Sequence, residues 1–208
     1  MRTFSHPGYK RFLLSVGCLL SIHFTALFFL TLFRLVFFFS ANYDFPDQEH
    51  VGFMSIWPAF IRGVWFDNVI ACYILLIPLV PVSISALFNY YGKILWNVTC
   101  IFFSLFYGIV LLVTAANIPY FQYFFKIINS SVFNWFGYMN TTAGMVFGET
   151  SYYPPLIGFL LTLVLFIWLM RRLIRHFQRL LNTKNPSVFW LDRIYIFLTA
   201  GICIGLCL

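Results

Sequence analysis

The chain has 208 residues, of which 62% are hydrophobic, 22% aromatic and only 9% charged, with mean hydropathy +0.88. A soluble domain carries about 25% charged residues to wet its surface, and a disordered chain is poor in aromatics, so both classes are excluded. The composition is that of an all-α integral membrane protein, and the net charge of +7 is distributed as a topology signal rather than as a nucleic-acid surface.

A membrane helix needs about 20 mostly apolar residues, and five runs qualify, at about 12–33, 69–88, 95–116, 155–170 and 194–208. The first follows Arg2, Lys10 and Arg11. It is too long for a cleaved signal, and Phe39-Ser40-Ala41 lacks the small residue a cleavage site needs, so it reads as a retained signal anchor. Residues 41–66 then bring Trp57, Phe60, Trp65 and Phe66, and Asp67 stands at the mouth of the second run, placed to cap it. The third run is predicted to stop at Asn117-Ile118-Pro119, and residues 117–154 are again rich in Phe, Tyr and Trp. Both aromatic stretches are predicted to form interfacial helices at headgroup depth. The fourth run ends in Arg171, Arg172, Arg175 and Arg179, cations at helical spacing that suit an anionic leaflet. The fifth stops at Leu208 inside its own apolar stretch, so the sequence is expected to be the front of a longer protein.

Lys and Arg set the orientation. With the N-terminus inside, ten of the thirteen cations are cytoplasmic and only Arg34, Arg62 and Lys126 lie outside, while every acid except Asp192 is outside. The expected fold is thus a five-transmembrane-helix bundle, N-terminus inside and C-terminus outside, with interfacial helices in its outer loops. Cys18, Cys72, Cys100, Cys203 and Cys207 all sit in apolar runs without a CxxC pair, which gives no zinc spacing. His23 falls mid-span and reads as an interhelical hydrogen-bonding residue. No phosphate loop, dinucleotide fingerprint or serine elbow is present.

Charges at the outer boundary are few. Arg34, near the outer end of the first run, is expected to find a carboxylate or a phosphate headgroup, because a lone cation in lipid is costly. Asp67 is the nearest acid in topology, with Arg62 competing for it. The candidate headgroup-binding or domain-docking residues are Arg34, Arg62, Trp65, Asp67, Asn117, Tyr120 and Glu149. No catalytic residue and no metal site is assigned within the chain, whose six Asp and Glu and four His are scattered.

Three strings carry a resemblance. They are Arg34-Leu35, then Phe60-Ile61-Arg62-Gly63-Val64-Trp65-Phe66-Asp67, and finally Asn117-Ile118-Pro119-Tyr120-Phe121-Gln122-Tyr123-Phe124 with Met145-Val146-Phe147-Gly148-Glu149-Thr150-Ser151-Tyr152-Tyr153-Pro154. The chain resembles the N-terminal membrane domain of bacterial lipoteichoic-acid-synthase-like proteins, phosphoglycerol and phosphoethanolamine transferases of the alkaline phosphatase/sulfatase superfamily. The second string is similar to the family's F-x-x-G-x-R-F-D, with Trp65 standing where the family usually carries Arg. The resemblance implies a bacterial cytoplasmic membrane location and membrane lipids as partners. It also implies a C-terminal extracytoplasmic domain, outside this chain, that holds a divalent metal and a threonine nucleophile. The chain itself is then an anchor without cofactor or nucleic-acid partner. The alternative is a small standalone membrane protein that binds lipid or a partner and catalyses nothing.

Overall fold

A computed structural model describes residues 7–43, 53–129, 144, 148, 150–181 and 190–207. In chain order these form α1 (Pro7–Tyr43), α2 (Phe53–Leu87), α3 (Lys93–Phe124), a 3-10 turn (Thr150–Tyr152), α4 (Tyr153–Leu181) and α5 (Trp190–Cys207). No strand occurs among the described residues. Four helices, α1 to α4, are long and apolar enough to cross a membrane. The chain is therefore a multi-pass, all-α membrane protein. The fifth helix has 18 residues and is not one of those four.

The helices are longer than the apolar runs that predicted them. With 37, 35 and 32 residues in α1, α2 and α3, they extend about 48–55 Å at a rise near 1.5 Å, against a hydrocarbon core of about 30 Å. Residues 53–66 are the first turns of α2 rather than a separate interfacial helix. Asp67 consequently lies inside α2 and caps nothing. Likewise α3 runs through Pro119 to Phe124. A proline removes one donor, but leaving the helix near lipid would strand many backbone groups, so the helix continues. It ends at Phe125, whose left-handed backbone (φ 51°) returns its N–H to the Phe121 carbonyl at 2.8 Å. α5 begins at Trp190, four residues before the apolar run, and takes Asp192 into its first turn, where that side chain is fully buried. An acid suits the positive end of a helix.

Between α2 and α3 the chain reverses in a short turn. Asn89 is left-handed (φ 54°), its N–H bonds the Ala86 carbonyl at 3.1 Å, and the Tyr90 N–H bonds the Ser85 carbonyl at 2.8 Å. This is a Schellman stop with asparagine in the position usually held by glycine.

α1 is the hub and packs against the four other described helices, while α2 also touches α3 and α5, and α3 touches α4. Its buried residues recur at three- and four-residue spacing: Phe12, Leu19, Ile22, Ala26, Phe29 and Phe33. At the centre, Phe166 of α4 meets Tyr107 of α3 and Phe29 of α1 edge-on, with ring centroids 5.5 and 6.3 Å apart. Large apolar side chains also cover the outside, among them Phe24, Phe28, Ile101 and Phe197 at 65–71% exposure. A surface of that kind belongs in a bilayer.

Candidate functional site

The apolar residues on either side of Arg34 commit it to a helix, and α1 carries its side chain toward α2. There Nε and Nη2 donate to the two carboxylate oxygens of Asp67, at 3.1 and 2.8 Å. Two parallel bonds of this kind are the strongest arrangement an arginine and a carboxylate adopt. The pair is largely withdrawn from the surface, with the two side chains 32% and 14% exposed. Gly63, one turn before Asp67 on α2, provides the seat. A Cβ at that position would collide with Nη1 and Cζ of Arg34. A larger residue there would oblige the guanidinium to move off this seat.

The neighbouring residue on α2 forms a second contact between the same helices. His23 is buried on α1, and its Nε2 lies 3.1 Å from the Oδ1 of Asn68. An amide oxygen is only an acceptor, so Nε2 carries the proton and donates. His23 thus bridges helices as expected, and Asn68 is its partner.

The remaining candidates do not gather round the ion pair. Arg62 is exposed on α2 and does not compete for Asp67, and Trp65 is 70% exposed. Asn117 works within its own segment, since its Oδ1 accepts the Ile128 N–H at 2.9 Å and ties the chain after α3 back onto the helix. The Tyr120 ring packs on Phe124, with centroids 4.8 Å apart. Glu149, and most of the aromatic stretch before it, lies outside the described residues.

Close to the same end of α1, but turned toward α3 and α4, lies a groove of about 410 Å³. Phe33 and Val36 of α1, Ile118 of α3, and Pro155 and Gly158 of α4 form its apolar walls. Ser40 and Gln122 lie at one end of it, joined by a bond of 3.0 Å from the amide nitrogen to the hydroxyl.

The opposite end of the bundle is held by Arg11, which is 8% exposed. Its Nη2 donates to the Leu181 carbonyl at the end of α4, at 2.6 Å, and its guanidinium lies 5.7 Å from the centre of the Tyr91 ring. A cation is well placed at a helix C-terminus. Burial pushes the Tyr91 hydroxyl up to about 12, against a smaller opposing effect of the Arg11 charge.

Asn68 and the Ser40–Gln122 bond were not anticipated from the sequence, where Arg11 stood only as a cation before the first run and Gly63 only as one position of a motif string. The seat that Gly63 provides for Arg34 was not part of that reading. Among the described residues, no three His, Cys, Asp or Glu side chains converge on a point. Compared with known proteins, the chain matches no family model, no curated protein and no solved structure.

Proposed function

We propose that the chain is the membrane domain of an enzyme that handles lipid headgroups at the outer leaflet, of the lipoteichoic-acid-synthase-like kind. The observation that carries this reading is the Arg34–Asp67 pair seated on Gly63. It joins two of the three strings on which the resemblance rests, and it gives their Arg, Gly and Asp one shared structural task. The family assignment itself rests on that motif resemblance alone.

In this reading α5 completes a five-span bundle with the N-terminus inside, and the α1 C-terminal end faces outward. The anchor's work is physical. It confines a catalytic domain to the plane where lipid headgroups lie, and confinement raises effective concentration without any new chemistry. The metal and the nucleophilic threonine belong to that further domain. Arg34 and Asp67 are positioning residues that fix the outer end of α1 against α2. Arg62 and Trp65, exposed within about one and a half turns of Asp67 on α2, are the groups free to meet a headgroup or the domain above.

The test uses the native protein in its own membrane. Its intact mass should lie well above 24.4 kDa, and it should release the headgroup of a fluorescent phosphatidylglycerol. Arg34→Gln should lower that turnover while leaving the protein inserted. A native mass of 24.4 kDa without turnover would replace this reading with a non-enzymatic lipid- or partner-binding protein. Unchanged turnover in an inserted Arg34→Gln protein would remove Arg34 from the account.

A further inference from the structure

We infer that the groove between α1, α3 and α4 is a binding site for a single acyl chain of a membrane glycerophospholipid. Its chemistry is graded along its length. Ser40, Gln122 and Pro154 mark one end, and Leu32 of α1 and Thr162 of α4 the other, eight residues away along each helix. Eight residues of helix span about 12 Å, enough to hold a stretch of one extended acyl chain. The walls between are apolar, and the Ser40–Gln122 bond supplies polar atoms at the end nearest the helix termini, where an ester or phosphate would sit. That is the polarity profile of an amphiphile standing in a leaflet.

Size and context agree with such an occupant. The volume of about 410 Å³ falls within the roughly 300–1,000 Å³ of small-molecule sites. The helices that form the groove carry Phe, Ile and Leu on their exposed faces, a surface suited to acyl chains rather than water. None of the side chains lining it is charged. The site therefore selects a chain and is indifferent to headgroup charge. This inference rests on membrane insertion alone and stands or falls independently of the headgroup-transfer reading.

Gly158 makes it testable. A Cβ there would meet nothing within 4 Å, yet the residue lines the groove, so a large side chain can fill the space without displacing a neighbour. The full chain would be placed in phosphatidylcholine vesicles containing a trace of phosphatidylcholine with a diazirine in mid-chain, then irradiated and mapped by mass spectrometry. Labelling at Val36 and Ile118 should exceed that at Ile101, which is 69% exposed on α3. Gly158→Trp should reduce it to the Ile101 level, and Gly158→Ala should preserve it. Thr162→Phe, which fills the other end, is the second blocking variant should Gly158→Trp fail to fold. Replacing the probe by the phosphatidylglycerol analogue should leave the pattern unchanged. Equal labelling at Val36 and Ile101 would overturn the proposal, as would labelling that survives both blocking variants. Closure of the groove by a second copy or by residues 130–143, seen as protein–protein cross-links at Val36, would overturn it as well.

Discussion

Arg34, Asp67 and Gly63 form a unit whose parts fail differently. Removing one charge leaves the other without its partner in a poorly hydrated place, which costs about 1–3 kcal/mol or more. Arg34→Gln and Asp67→Asn should each lower the melting temperature in mild detergent. The double variant should lose clearly less than the two losses added, because it strands no charge. Additive losses would mean that the bidentate bonds contribute little. Gly63→Val should match the single charge variants without altering any charge, by pushing the guanidinium off its seat. The pairing of Arg34 with Asp67 was legible because so few charges stand near that boundary. The geometry around it was not, because the second span appeared to begin at Val69, beyond Gly63. On a continuous helix at about 100° per residue, Gly63 and Asp67 differ by roughly 40°, whereas Arg62 lies about 140° from Asp67. That angle puts Arg62 on another face and removes it as a competitor.

The five helices among the described residues were legible as elements, and their ends were not. Hydropathy marks the part of a helix that matches hydrocarbon, whereas backbone hydrogen bonding decides where the helix stops, and aromatic residues such as Trp57 and Phe60 sustain it beyond the apolar run. α5 shows the same effect at its start, where Asp192 is polar in sequence and buried in the fold. The Arg11–Tyr91–Leu181 contact links the starts and ends of three segments and has no local signature, since 170 residues separate Arg11 from Leu181. It makes a pH prediction. Burial raises the Tyr91 hydroxyl from its ordinary 10 to about 12, so the folded protein holds that proton more tightly than the unfolded chain. Its contribution is fully present below pH 10 and is lost as the pH rises toward 12. The melting temperature should fall across that window, and Tyr91→Phe should remove this part of the fall. An identical alkaline profile in Tyr91→Phe would show that other groups govern it.

For the molecule as a whole, charge gives an orientation that labelling can check. In an otherwise cysteine-free chain, a membrane-impermeant maleimide applied to intact cells should label Trp57→Cys and spare Lys93→Cys. The reverse pattern would invert the bundle and place the Arg34–Asp67 pair on the inner side. The hub position of α1 also bears on how the protein is made. Of the two helices α1 and α2, the one synthesised earlier carries His23 and Arg34, two side chains ill-suited to lipid, and their partners, Asn68 and Asp67, are adjacent on the next helix. A nascent chain ending after α1 therefore carries an unmatched cation, a burden of up to about 2.5–3.5 kcal/mol, and one ending after α2 does not. The first two helices are thus suited to leave the translocon together as a hairpin, with α1 held back at the exit until its partner has been synthesised.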